Sequence, residues 1–271
     1  MAHHALDFAA ATDIGRRRKV NEDSALAGPR LLAVADGMGG HPHGDVASRT
    51  AVTALAGHAL GGDPAAGLAA AVAGIAARLD ELGRQKPELA HMGTTLTAMA
   101  WDGTRFAIAH IGDSRAYLLR AGELVQLTRD HTMVQSLVDA GRLTPAEAAR
   151  HPQRSALVRA LQSEQSGEPD VFRHDARPGD RYLLCSDGVS GPVPPEALRD
   201  ALAAAARPAD AVARLVDLAL RAGGPDNITC VVADVVPAGG APEREPVLLG
   251  AAAPDAGPGP LARLARRLRR A

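Results

Sequence analysis

Aromatic residues are scarce in this chain, and cysteine is nearly absent. Trp, Tyr and Phe together make up 2% of its 271 residues, so a core has to be assembled mainly from Ala, Val and Leu. Cys185 and Cys230 are the two cysteines, and both lie in apolar runs. With no Cys-x-x-Cys pair and no His/Cys cluster, a zinc site is excluded and buried reduced thiols are expected. No run of about 18 apolar residues occurs, so no membrane-spanning helix is expected. The opening MAHHALDFAA has no basic region ahead of a long apolar stretch, so no signal peptide is expected either. Neither sign of charge dominates: the formal net charge is −1, which argues against a general nucleic-acid binder.

What is present is an ordinary apolar fraction, 46%, arranged in two periodicities. Residues 5–12, Leu31–Ala35, Thr94–Trp101, Arg105–Ile111, Ser114–Leu119, Glu123–Leu127, Val171–Ala176, Arg181–Ser186 and 227–236 read as strands. Asp102-Gly103 and Arg120-Ala121-Gly122 mark hairpin turns. Helices are expected at 44–60, 64–85, 195–206 and 208–221. In the second of these, Leu68, Val72, Ile75, Leu79 and Leu82 recur at the helical period behind Pro64. Residues 130–165 are polar, helix-like and broken by Pro145 and Pro152, and read as a flap of short helices inserted between strands. Hairpin-linked strands with two groups of helices predict an α+β fold. Its expected form is a four-layer αββα sandwich of two mainly antiparallel sheets flanked by helices, with a small helical flap. The Pro-, Gly- and Ala-rich stretch 237–260 reads as a disordered linker, and 261–271 as a basic amphipathic tail, leaving one domain over 1–236.

Acids recur where apolar strands run into turns: Asp36 in LLAVADGMGG, Asp187 in YLLCSDGVSG, Asp226 in GPDNITCVVADVV and Asp113 in IAHIGDSRAY. Glu22-Asp23 follows the basic turn GRRRKVNEDS. Two ionised carboxylates about 5 Å apart repel by about 3 kcal/mol at an effective dielectric of 20. If these acids converge, a divalent cation is the economical partner. The donors are oxygens, which favours the hard ions Mn²⁺ or Mg²⁺. GMGGHPHGD is not a nucleotide-binding loop, because Asp45 and Val46 stand where Lys and Ser/Thr would be needed.

The ordered set Arg18…Asn21-Glu22-Asp23, Asp36-Gly37-Met38-Gly39-Gly40-His41, Gly112-Asp113-Ser114-Arg115, Ser186-Asp187-Gly188 and Asp226-Asn227 resembles the PPM/PP2C family of metal-dependent protein serine/threonine phosphatases, in particular its bacterial branch. The resemblance spans about residues 8–236, including the flap. It implies two metal ions bridged by Asp36, with Asp187 and Asp226 completing one site. Glu22 and the Gly37 carbonyl would serve the other, largely through waters. Asp113 would join Asp187 on a weaker third ion, and Arg18 would grip the substrate phosphate, a task suited to a guanidinium fork. Asp23 either orients water beside an ion or is a satisfied structural acid. Asn227 either hydrogen-bonds near the metal or caps the strand turn. Many eukaryotic members carry histidine where this chain has Met38, so the leaving-group proton must come from elsewhere, with His41 and His43 as loop candidates.

The implied activity is hydrolysis of phosphoserine and phosphothreonine on proteins, reversing a bacterial Ser/Thr kinase, by a cytoplasmic monomer. Two alternatives share the fold: an inactive binding module, and a phosphatase of anti-sigma-antagonist regulators. Leu261–Ala271 sets five arginines beside a leucine stripe. That stretch suits either weak contact with the inner membrane surface or a solubilising end.

Overall fold

Several strands are buried on both faces, and this dictates the layering. In Leu31–Asp36, Leu32 and Val34 enter one core while Ala33 and Ala35 enter another. A strand covered on both sides reads as a continuous apolar run, and that is how LLAVA reads. The structure, a computed structural model, describes residues 4–38, 43–58, 61–164 and 166–254.

The elements, in chain order, are β1 His4–Asp13, β2 Asp23–Ala27, β3 Leu31–Asp36, α1 Gly44–Ala56, α2 Pro64–Gln85, β4 Gly93–Thr94, β5 Leu96–Trp101, β6 Arg105–Ile111, β7 Arg115–Arg120 and β8 Glu123–Gln126. They continue with α3 Met133–Asp139, α4 Pro145–Ala148, β9 Leu161–Gln162, β10 Asp170–Asp175, β11 Arg181–Cys185, α5 Asp187–Ser190, α6 Pro195–Ala203, α7 Pro208–Arg221, β12 Ile228–Pro237 and β13 Val247–Gly250. One sheet has the order β1-β12-β11-β7-β8 and the other β10-β6-β5-β3-β2-β13; β4 and β9 form a separate small pair. The strand pairs are antiparallel.

Three apolar layers result. Helices α1 and α2 cover the six-stranded sheet through Val52, Leu55, Leu68, Ile75 and Leu79. Helices α6 and α7 cover the five-stranded sheet through Leu198, Leu202, Val212 and Leu215. Between the sheets lies a core that includes Leu6, Phe8, Leu32, Val34, Ile108 and Tyr182. The αββα sandwich expected from the sequence is therefore observed. The few aromatics are concentrated rather than spread: Phe106 stacks on Trp101 (centroids 4.6 Å) and on Tyr182 (4.7 Å). The flap helices start where their caps stand. The Thr132 hydroxyl accepts from Gln135 N–H, and Thr144 forms a reciprocal box with Glu147. Cys185 and Cys230 face each other across β11 and β12 as buried free thiols.

Two parts of the sequence reading need correction. Strand β2 escapes it, because DSALA is short and starts with two polar residues that are nonetheless fully buried. The stretch 237–260 is not a linker throughout: β13 pairs with β2 from Val247↔Ala27 to Gly250↔Ser24, so the folded unit runs on to residue 254. A proline-rich approach hides a strand whose partner lies more than 200 residues earlier. The tail 261–271 falls outside the described residues.

Phe106 is fully buried between two rings. Phe106→Ala is expected to cost about 3–5 kcal/mol, measured as a shift in the urea-unfolding midpoint at unchanged slope.

Candidate functional site

The acids lie at one end of the two sheets because antiparallel pairing brings their strand ends together. Asp23 opens β2 directly opposite Asp36, which closes β3. Asp187 follows β11, and Asp226 precedes β12, its antiparallel neighbour. Asp113 sits in the turn that carries the chain from β6 in one sheet to β7 in the other. Glu22 stands one residue before β2.

Hydroxyl groups tie the sheets together at this end. Ser186 Oγ donates to Asp23 Oδ2 (2.8 Å) and accepts from Thr229 N–H (3.1 Å). Thr95 Oγ1 accepts from Asp36 N–H (3.0 Å) and lies 2.7 Å from Ser114 Oγ. Sequence reasoning assigns no role to Ser186, Thr95 or Ser114. The only available signal is their adjacency to the acid motifs or to the strands that carry them.

The entry loop is held in the same way. Asn227 Oδ1 accepts from Glu22 N–H (2.8 Å), while its Nδ2 donates to the carbonyls of Ile14 (2.9 Å) and Val20 (3.0 Å). Asn227 thus clamps the segment that bears Arg18 and Glu22. Arg18 Nη2 donates to Asp226 Oδ2 (2.7 Å), and Nη1 lies 3.9 Å from Glu22. Of the three consecutive arginines, Arg18 is the one that pairs with acids of the site. Gly37 is required by crowding: a Cβ there would meet Gly44 O at 2.4 Å and Glu22 O at 2.7 Å. Gly188 is more extreme, since a Cβ there would stand only 1.8 Å from Asn227 O. The Met38 side chain turns away, toward Gly93 and Gln162, whose amide lies 3.7 Å from its sulfur. His41 lies outside the described residues.

Burial dominates the electrostatics, and like charge adds to it. Burial, then repulsion by Asp23, Asp187 and Asp113, raises the Asp36 carboxyl well above its usual range. Burial, then repulsion by Asp187 and Asp130, raises Asp113 to about 8, and Arg115 offsets only part of this. Arg115 is itself held by a bidentate pair with Asp130 at the start of the flap. Burial raises Asp23 to about 7 despite the Thr229 and Ser186 hydroxyls. Asp187 is raised by burial and by Asp226, against a hydrogen bond with Asp36. Glu22 is raised by burial, against Arg18.

Asp23 Oδ1 is enclosed and makes no hydrogen bond. An enclosed, unpartnered carboxylate oxygen beside other acids fits a positively charged occupant. No three His, Cys, Asp or Glu side chains among the described residues close on a single point. The acids stand at neighbouring strand ends instead, which suits hydrated hard ions better than an all-protein cage.

Comparison with known proteins agrees with this arrangement. The sequence profile of the family Protein phosphatase 2C matches residues 16–222. The serine/threonine protein phosphatase PstP of Mycobacterium tuberculosis (strain CDC 1551 / Oshkosh) is 51% identical over 257 residues, covering 92% of this chain and 49% of PstP. Protein phosphatase PhpP of Streptococcus pneumoniae serotype 2 is 33% identical, covering 83% of this chain and 95% of PhpP. The crystal structure of M. tuberculosis PstP/Ppp superposes with a TM-score of 0.82 at 52% identity, covering 86% of this chain and 99% of that one. The PstP catalytic domain in complex with two manganese ions gives 0.80 at 50% identity, with coverage of 86% and 99%. The chain belongs to the protein phosphatase 2C family. It spans about half the length of the PstP relatives it matches.

An acid with higher proton affinity in the folded chain than in the unfolded one supports the fold at low pH. That support is lost as pH rises from the unfolded value to the folded one. For Asp23 and Asp113 the interval runs from 3.8 to about 7 and about 8. Chelator-treated protein should therefore lose thermal stability as pH rises across this interval, and added Mn²⁺ should restore it. A flat melting profile would show that burial and neighbouring charge do not raise these acids as described.

Proposed function

We propose that this chain is a metal-dependent protein serine/threonine phosphatase. The observation that carries the reading is the gathering of Glu22, Asp23, Asp36, Asp113, Asp187 and Asp226 at one end of the two sheets, with Arg18 paired to Asp226 and close to Glu22. In this reading Asp36, Asp187 and Asp226 would hold one cation, and Asp36 and Glu22 with the Gly37 carbonyl the other. Asp113 and Asp187 would hold a weaker third ion. Mn²⁺ or Mg²⁺, when bound, supplies the Lewis acidity and the activated water that phosphomonoester hydrolysis needs.

The chain's own residues do the rest. Arg18 commits one N–H to Asp226, leaving other donors of its fork for phosphate oxygens. The Asn227 clamp holds Arg18 and Glu22 on one ordered loop, so the phosphate grip and a metal ligand move together. Asp23, enclosed opposite Asp36 and oriented by Ser186, would order water beside the cations through its free oxygen. Met38 has no proton to give and faces Gly93 and Gln162, so the leaving alkoxide is protonated by another donor.

The substrates in this reading are phosphoserine and phosphothreonine proteins, opposed by a cognate kinase, and the flap of residues 130–165 favours that role over dephosphorylation of anti-sigma antagonists. The enzyme acts as a monomer in the cytoplasm. No described helix is long and apolar enough to cross a membrane, and the arginine-rich tail would supply any contact with the inner membrane surface.

Hydrolysis of p-nitrophenyl phosphate should require Mn²⁺ and stop with chelator. Asp36→Asn should cut kcat by at least about 10²–10³-fold, the scale of losing one preorganised electrostatic group, while circular dichroism stays native. Mn²⁺-independent turnover, or none at all in the native protein, would refute the reading; the latter result would favour a binding module. Asp113→Asn should slow turnover yet leave the two tighter Mn²⁺ sites intact by calorimetry. Loss of those sites as well would contradict the division of ligands.

A further inference from the structure

The segment after β12 does more than leave the domain. Arg244 donates to Phe8 O (2.8 Å) and approaches Asp7 (3.6 Å). Pro246 settles where Gly28 has no side chain, 3.2 Å from the position a Cβ would take. Strand β13 then covers the outer edge of β2, with Leu248 packed on the helix-side core and Leu249 on the core between the sheets. At its end Gly250 adopts φ +69°, and a Cβ there would lie 2.1 Å from Asp23 O. Ala251 N–H donates to that same carbonyl (2.8 Å). Ala251 and Ala252 are buried behind it. All of this lies beyond residue 222, where the match to the family profile ends.

β2 delivers Glu22 and Asp23 to the site and sets Asp23 opposite Asp36. Without β13 it would be an edge strand with a row of unpaired backbone groups, and Asp23 would lose a bond at its carbonyl. We infer that Val247–Ala252 is a positioning strap, whose hydrogen bond from Ala251 to Asp23 holds the Glu22–Asp23 segment in register with Asp36 and so sets the affinity of the site for divalent cations. The inference rests on the reading of the acids as a metal site. It makes the chain beyond the family match a determinant of cation binding: pulling the strap off β2 loosens the acids without touching any of them.

The test uses the full chain and two readouts other than activity: calorimetric Mn²⁺ titration, and hydrogen exchange of the β2 amides. Ala251→Pro removes the N–H that Asp23 accepts, and Ala251→Ser keeps it. Val212→Ala in α7, on the far side of the molecule, serves as a control for general destabilisation. Expected results are Mn²⁺ affinity about fivefold weaker and β2 protection lowered in Ala251→Pro, the scale of one hydrogen bond's net contribution. Ala251→Ser and Val212→Ala should both retain native affinity. Should Ala251→Pro fail to fold, Gly250→Ala displaces the strap through the contact with Asp23 O and is judged by the same two readouts. Native Mn²⁺ affinity alongside lowered β2 protection would overturn the strap's role and leave the metal site standing. Absence of Mn²⁺ binding in the unsubstituted protein would overturn both.

Discussion

Burial of mutually repelling carboxylates is the constraint on which the rest of the structure depends. Folding this chain means bringing Glu22, Asp23, Asp36, Asp113, Asp187 and Asp226 to one end of a sandwich, where burial and each other's charge raise the proton affinity of most of them. Such a cluster persists only if the scaffold is stiff. The stiffness comes from two sheets with apolar cover on every face. It also comes from hydroxyl groups that cross-link the sheets at the acidic end: Ser186 to Asp23, and Thr95 to Ser114 and Asp36.

The division of labour follows from this strain. Strand ends carry the acids because an ordered backbone can hold like charges against one another, which a mobile loop could not do. Arg18 sits on a loop, and Asn227 pins that loop to the start of β12. Small residues fill the points where backbones must touch. At Gly37 and Gly188 a single methyl group would collide with carbonyls of Glu22 and Asn227, the two residues that fix the entry loop. The flap is linked to the same end by Arg115 and Asp130, and the small β4–β9 pair brings Gln162 against Met38.

The acids are legible in the sequence because each terminates or precedes an apolar run, a local pattern that needs no tertiary knowledge. The hairpins and the long helix α2 are legible for the same reason, through turn chemistry and the 3.6-residue period. Other features are not legible. The Asn227 clamp joins residues more than 200 positions apart, and Ser186 reaches Asp23 across 163. DSALA shows no alternation, and its polar start is buried only because Ser186 and Ser48 meet it in space. Nothing in the composition of 237–260 distinguishes a docked strand from a linker; the free edge of β2 decides that.

The sequence by itself determined the kind of molecule: apolar runs covered on both faces, acids at their ends, an arginine ahead of the first acidic pair, and oxygen donors with no thiolate or imidazole cluster among them. Only the tertiary structure decided that Asn227 clamps the entry loop, that Asp23 keeps an enclosed oxygen free, and that the chain returns after β12 to close the edge beside it. Strand-end chemistry is written in neighbouring residues. Charge convergence and edge pairing depend on which distant strands become neighbours, and that is settled only when the sheets form.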